Sequence, residues 1–268
     1  RFLSRGPFYV GIYRPSALFR QIGAYACFSN TLSGSSSGGY LGIGATNQGS
    51  GQYVVEDGGV CDIYGTLHFA NNYSGNATCS FAAVGEGTYV NNYGNTVTAL
   101  GNTFDTNVGR ATVAIADGAK IRTAGFRRNC TYKEPTFTDP SNHIFIVSFD
   151  GGTLETGSNN KNIAICGQES HAERVKRHAL RGLLVGPKGV TIDTIGNKGN
   201  YTEVPFSAPT NGVVSALSEF VPFQWNHVPA PTVEISGDGE GAYAYADFDS
   251  KTRMVRGVKI VSGGTGFT

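Results

Sequence analysis

The sequence predicts an all-β chain: a parallel β-helix, or β-solenoid, closed by a small C-terminal β unit. Three observations lead there. Glycine occurs 38 times in 268 residues, about twice its usual share of roughly 7%. Charged residues make up 15% of the chain, against roughly 25% in ordinary soluble domains. Most tellingly, a short apolar strand, a glycine turn and a second short strand recur along the sequence. Glycine supplies positive φ at tight corners and weakens a helix interior by about 1 kcal/mol, so this composition favours strands joined by bends.

Residues 1–50 show no copy of the repeat and read as an N-terminal cap or entry segment, with TLSGSSSGGY from Thr31 as a flexible loop. Residues 51–200 carry the repeat: YVVEDGGVCDI from Tyr53, FAAVGEGTYV from Phe81, TVAIADGAKI from Thr112, and looser copies IFIVSFDGGTL from Ile144 and LLVGPKGVTI from Leu183. The turn markers Gly58, Glu86, Gly118, Gly151 and Lys188 lie about 28, 32, 33 and 37 residues apart, within the range of solenoid repeats. Val113, Ile115 and Ile121 alternate with other residues, giving each strand one inward face. One coil cannot bury that face alone, whereas stacked coils cover one another at a spacing of about 4.8 Å. The intervening stretches 70–78 and 91–107, rich in Asn, suit outer turns and corner ladders.

Residues 168–181 have apolar positions at Ala172, Val175 and Ala179 and are expected to form a short amphipathic helix. Beyond Tyr201 the prolines Pro205, Pro209, Pro222, Pro229 and Pro231 surround the single Trp225. Residues 201–268 are therefore read as a proline-containing linker followed by a β unit, with strands expected at Thr232 to Ser236, Ala242 to Asp247 and Gly257 to Val261.

A net charge of +1 gives no electrostatic case for nucleic acid or an anionic membrane. The chain has no apolar run of about 18 residues, so no membrane span is expected in this segment. The opening RFLSRGPFYVGIYRPSALF lacks a signal-peptide cleavage pattern and is read as the start of a mature product or excised fragment. Cys27, Cys61, Cys79, Cys130 and Cys166 form no CxxC or CxxH pair, so metal-ligand spacing is absent. They are read first as small buried apolar residues, with one or two disulfides as the alternative in a secreted protein. Asn72, Asn76, Asn129 and Asn200 lie in N-x-S/T sequons, which matter only in a glycosylating host.

No catalytic, cofactor-binding or metal-ligating residue is assigned from the sequence, and no cofactor is expected. Gly34, Ser36 and Gly38 match a nucleophile elbow, but a serine-glycine loop produces the match without the required strand and helix. His171 and Glu173 form an H-x-E without the downstream cysteines of a zinc deaminase, and read with Arg174, Lys176, Arg177 and Arg181 as a solvated helix face. His68, His143, His178 and His227 are scattered. Asp238, Glu240, Asp247 and Asp249 have the chemistry to hold calcium but no calcium-loop spacing, and read as turn and edge residues. Asp57, Glu86, Asp117 and Asp150 are expected at equivalent corners, where turn chemistry explains them before glycosidase-type acid pairing does. Tyr40, Tyr53, Tyr64, Tyr73, Tyr89 and Tyr93 are assigned to the interior, with a sugar-stacking row as the alternative.

The final stretch resembles a repeat of very large bacterial surface proteins, P-x-V-x-I-x-G followed by alternating Gly and Ala and then G-V-x-x-I-x-V-x-x-G-G-x-G-Y-T. The matching residues are Pro231, Val233, Ile235, Gly237, Gly241, Ala242, Ala244, Ala246, Gly257, Val258, Ile260, Val261, Gly263, Gly264, Gly266, Phe267 and Thr268, with Phe267 in place of the usual Tyr. GLLVGPKGVTIDTIGN from Gly182 to Asn197 resembles a second element of the same proteins. Together with the coils, these motifs resemble autotransporter-type passenger proteins carrying autotransporter-associated β-strand repeats. The resemblance implies an extracellular or cell-surface β-helix serving as adhesin, stalk or scaffold, without family-wide catalytic residues. Glycans or surface proteins of a host or the environment are the expected partners. Two rival expectations are a carbohydrate-active β-helix, a lyase or hydrolase of tailspike type, and self-association through exposed strand edges.

Overall fold

Runs of β-branched and aromatic residues broken by glycine turns form 23 strands and no helix among the described residues. The computed structural model describes residues 1–11, 17–29, 41–44, 49–69, 77–93, 96–99, 109–128, 143–157, 164–165, 182–195, 206–209, 214, 220–227 and 231–268. The helix expected over 168–181 lies outside them, as do the four sequons.

The strands of the body come in triples: β1 (Phe2–Ser4), β2 (Phe8–Val10) and β3 (Ala17–Ile22), then β4 (Tyr25–Phe28), β5 (Leu41–Ile43) and β6 (Gly51–Glu56). They continue with β7 (Val60–Ile63), β8 (Leu67–Phe69) and β9 (Ala77–Val84), then β10 (Tyr89–Asn92), β11 (Thr96–Ala99) and β12 (Gly109–Ala116). Next are β13 (Lys120–Thr123), β14 (Gly125–Arg128) and β15 (His143–Asp150), then β16 (Gly152–Thr156), β17 (Ala164–Ile165) and β18 (Gly182–Val185), and finally β19 (Val190–Asp193) and β20 (Phe206–Ser207). From β4 to β19 each strand pairs in parallel with the one three places before it. The result is a first sheet of seven strands ending at β1 and β19, a second of six ending at β2 and β17, and a third of seven ending at β3 and β20. The molecule is thus all-β with mostly parallel sheets. The described residues of 1–50 supply β1 to β5, of which β3, β4 and β5 pair in register with β6, β7 and β8 beyond position 50.

Each repeat seen in the sequence is a third-sheet strand, a turn and a first-sheet strand. In two of the turns both central residues are left-handed: Asp57 and Gly58 at φ 53° and 76°, Asp117 and Gly118 at φ 55° and 85°. Asp tolerates this conformation and Gly adopts it freely, which is why the pair recurs. Gly59 N–H donates to Glu56 O at 3.1 Å, and Ala119 N–H to Ala116 O at 3.1 Å, closing the two turns. Successive turns also bond to each other, Asp117 N–H to Asp150 O at 3.0 Å and Gly118 N–H to Gly151 O at 2.9 Å.

Between the three sheets lies one apolar interior. A row of inward third-sheet residues runs Phe19, Tyr53, Phe81, Val113, Val147, Leu183, Phe206 across successive pairings. Its rings meet edge to face, Phe19 to Tyr53 at 5.0 Å and Tyr53 to Phe81 at 5.6 Å. Such pairs add about 0.5–1.5 kcal/mol beyond burial. Tyr53 is fully buried, as the sequence reading had it, and its hydroxyl donates to Gln21 Oε1 at 2.6 Å. Gln21 in turn donates to Ala24 O and Val60 O, so this interior polar pair is satisfied. An inward corner row of Asn92, Thr123 and Thr156 is polar and buried, with Asn92 Nδ2 donating to Thr123 Oγ1 at 3.4 Å. Cys61 and Cys79 are buried and Cys27 is half-buried, whereas Cys130 and Cys166 lie outside the described residues.

The C-terminal unit is an antiparallel pair, β22 (Glu240–Asp249) and β23 (Met254–Thr265), flanked by β21 (Phe223–Gln224). The strand expected at Thr232 to Ser236 does not form, and Phe223–Gln224 takes the place of the third strand. The reason is visible at Val233, whose carbonyl accepts from the side chain of Gln52 at 2.9 Å instead of entering a ladder. The pair lies on the outer face of the third sheet. There Val54, Ala82, Ala114 and Ala116 pack under Tyr243, Tyr245 and Val261. Small outward alanines leave room for the two rings, and Gly241, at φ 75°, approaches Ile146 so closely that a Cβ would meet its Cδ1 at 2.8 Å. At the centre of the seam Glu56, 2% exposed, accepts from Arg20 Nε at 2.6 Å and from Tyr245 Oη at 2.5 Å, with Lys259 Nζ at 3.6 Å. Arg20 also donates to Phe248 O at 3.1 Å and lies over the Tyr245 ring.

Candidate functional site

The candidates drawn from sequence motifs separate rather than converge. Gly34, Ser36, Gly38, His171, Glu173, Arg174, Lys176, Arg177, His178 and Arg181 lie outside the described residues, and so does the side chain of His143. His68 points outward between the inward Leu67 and Phe69 of the second sheet, and His227 packs against Trp225 beside the C-terminal unit. The acids Asp238 and Glu240 sit at one end of β22 and Asp247 and Asp249 at the other, too far apart along an extended strand for one cation. Asp249 caps its turn through Lys251 N–H and Thr252 N–H and pairs with Arg256 at 2.5 Å, while Asp238 accepts from Thr268. No group of three metal-ligating side chains exists among the described residues.

The corner acids do fall on successive turns, yet they carry turn chemistry. Asp150 Oδ1 accepts from Lys188 N–H at 2.8 Å, and Lys188 Nζ pairs with Asp117.

A denser collection of functional groups lies on the outer face of the first sheet. Its short strands alternate, burying Cys61, Ile63, Val90, Ile121 and Leu154 and turning the residues between them outward. Parallel register aligns those outward residues into rows. One row is Tyr25, Val60, Tyr89, Lys120, Thr153, Thr191, and the next is Cys27, Asp62, Asn91, Arg122, Glu155, Asp193. A third row begins with Ser29 and runs through Tyr64 and Tyr93, held by Tyr64 N–H to Phe28 O at 3.0 Å and Tyr93 N–H to Ile63 O at 3.1 Å. It continues with Ala124 and Gly157.

The rows are tied together by side-chain bonds. Tyr25 Oη donates to Asp62 Oδ2 at 2.8 Å and Tyr89 Oη to Glu155 Oε2 at 2.9 Å, with Lys120 Nζ 4.0 Å from Glu155. The Tyr64 and Tyr93 rings stack at 4.2 Å with planes 10° apart. Burial, followed by the bond to Glu155, pushes the Tyr89 phenol up to about 12, with Arg122 opposing. Burial first and Asp62 second raise Tyr25, and the bond with Tyr64 followed by burial raises Tyr93. At neutral pH all three are protonated hydroxyls. Asn91, 5% exposed, keeps its Oδ1 without a hydrogen-bond partner among the described residues.

This face offers flat rings, hydroxyls and charged forks side by side. It also sets two carboxylates, Glu155 and Asp193, on paired positions of adjacent strands, about 4.8 Å apart along the backbone. Asp193 Oδ1 is engaged by Ile195 N–H at 2.8 Å. The sequence reading placed Tyr64, Tyr89 and Tyr93 inside, whereas they stand on this outer face. The signal was present, since Tyr64 and Tyr93 are separated by one repeat and follow inward residues at Ile63 and Asn92. Away from this face, a cleft of about 280 Å³ opens at the C-terminal seam between Asp150, Pro187, Pro209, Val214 and Val261. No protein-family model, curated protein or solved structure matches the chain.

Proposed function

We propose that the three sheets are the faces of one parallel β-helix, and that the chain is a segment of a secreted or surface-anchored bacterial protein of the autotransporter-passenger type. In this reading it is a non-enzymatic stalk or adhesin that projects a recognition face from the cell. The observation that carries it is the unbroken three-place pairing from β4 to β19, which supports a stiff body presenting side chains in straight rows. A rod of this kind buries its interior whatever its length, because each triple covers the next. The outer rows are then free to vary toward binding. The test is twofold: small-angle scattering of the purified chain, expected to give an elongated monomer, and incubation with a polysaccharide panel, expected to leave every chain intact. Release of new reducing or unsaturated ends would overturn the reading.

A carbohydrate-active enzyme is the second reading, favoured by one observation: Glu155 and Asp193 occupy paired positions, with Arg122 on the opposite flank of Glu155. Carboxylates about 5–9.5 Å apart serve glycosidases. If the panel is degraded, Asp193→Asn and Glu155→Gln variants are expected to abolish the activity, and their full retention of it would reject this pair as the catalytic one.

A further inference from the structure

We infer that the outer face of the first sheet binds an uncharged polysaccharide along the stacking direction of its strands, with a pyranose ring seated on Tyr93. The inference deepens the adhesin reading and rests on it only for the absence of turnover.

The aromatic pair is the first argument. Tyr64 and Tyr93 point away from the apolar interior, so they do not fill the core. Tyr93 keeps 39% of its surface exposed. Beyond it the same row carries Ala124 and then Gly157, side chains too small to extend a stack of rings. Ala124 and Gly157 are themselves buried, so the apolar surface left open in this row is that of Tyr93, one ring across. An apolar ring face suits the C–H face of a pyranose.

The second argument is the polar row alongside. Asp62, Asn91, Arg122, Glu155 and Asp193 run parallel to the ring row and alternate acceptors with a donor fork, the pattern that vicinal hydroxyls require. Within it Asn91 holds a buried carbonyl oxygen with no partner among the described residues. A buried acceptor left unpaired is destabilising, so an incoming hydroxyl, or a neighbour re-aimed by one, gains by serving it. Tyr25 and Tyr89 add hydroxyls that stay protonated.

Spacing is the third argument. Adjacent strands lie about 4.7–4.9 Å apart, close to the advance of one pyranose unit in an extended chain. Successive sugars then meet successive strands along one row. Charge selects against the obvious competitor. Three carboxylates lie in the polar row, Lys120 lies 4.0 Å from Glu155, and the whole chain has a net charge of +1. Phosphate-bearing strands that would stack bases on Tyr93 gain little there.

The experiment is titration calorimetry of the full 268-residue chain with neutral hexasaccharides of β-1,4-glucose, β-1,4-mannose, β-1,3-glucose and α-1,4-glucose. Oligogalacturonate and single-stranded DNA serve as charged comparisons. At least one neutral hexasaccharide is expected to bind. Tyr93→Ala is expected to weaken it about tenfold or more, as truncation of an aromatic anchor does, and Tyr93→Phe about threefold or less. Trp225→Ala, on the C-terminal unit, is expected to leave binding unchanged. Because Tyr93 stands outside the core, the Tyr93→Ala circular dichroism spectrum and melting point should match the parent. Absence of binding to every neutral sugar, unaltered binding by Tyr93→Ala, or tighter binding of oligogalacturonate or DNA would each overturn the inference. Cleavage of a bound sugar would instead overturn the non-enzymatic reading while leaving the site in place.

Discussion

The first and third sheets share one interior and differ in what lies outside them, and their sequences differ accordingly. Strands in the middle of the first sheet alternate, as in VCDI and KIRT, because most of their outer side chains meet solvent. Strands of the third sheet read as largely apolar runs, FAAV, TVAIA and FIVSF, because the C-terminal pair covers their outer face. Strands buried on both faces are apolar throughout and strands buried on one face alternate. The contrast shows that a strand's composition in this molecule reports its exterior neighbour as much as its interior.

Charge insertion should break this contrast with the largest effect. Ala114→Asp places a carboxylate beneath the tyrosine cover, and is expected to cost about 3–5 kcal/mol, the penalty of an uncompensated buried charge. Thr153→Asp, outward on the first sheet, is expected to stay within about 0.5 kcal/mol. Urea denaturation of the two variants reads the difference, and equal losses would mean that the third sheet's outer face is not sealed.

A smaller loss tests the seam itself. Tyr245→Phe removes the 2.5 Å bond to the buried Glu56 carboxylate and is expected to cost about 1.5–3 kcal/mol. Limited proteolysis should then cleave the C-terminal unit first, before the parallel body.

Alkaline pH sharpens the comparison from inside. Burial raises the Cys61 thiol from its ordinary value of 9.0 to about 12. The folded state therefore retains a proton that the unfolded chain gives up, so this stabilisation is intact below pH 9 and is lost as pH rises through about 12. Cys61→Ala should flatten the decline in stability over that window. In the parent protein at pH 8 a thiol reagent should modify half-buried Cys27 and reach Cys61 only after denaturation. The smallest effect belongs to Lys188→Ala, whose exposed ion pair with Asp117 should leave the melting temperature unchanged within error.

Much of the fold was legible in the sequence because the turns are chemically demanding. Asp57-Gly58 and Asp117-Gly118 adopt left-handed conformations that few other pairs tolerate, so their recurrence marked the repeat. The copy of the repeat over residues 17–28 escaped notice because its corner has no acidic marker: Gly23, at φ 55°, turns the chain alone and donates to Glu56 O at 3.0 Å. The strand expected at Thr232 to Ser236 was misplaced because alternation cannot show that a distant Gln52 claims the carbonyl of Val233. The site was half legible. The tyrosines were singled out and the polar row was not, and which side of a strand Tyr64 and Tyr93 occupy depends on a register one residue past the strand ends. Asp62, Arg122 and Glu155 become neighbours only through pairing across about thirty positions each.

The chain linking each second-sheet strand to the following third-sheet strand grows from 11–16 near the start to 129–142 and 166–181 near the end, yet the strands on either side keep their parallel partners. Register in this body is set by neighbours and not by the tether between them. That corner is therefore where added sequence, up to a grafted binding loop or a whole inserted module, can enter while the ring row and its carboxylates stay in place.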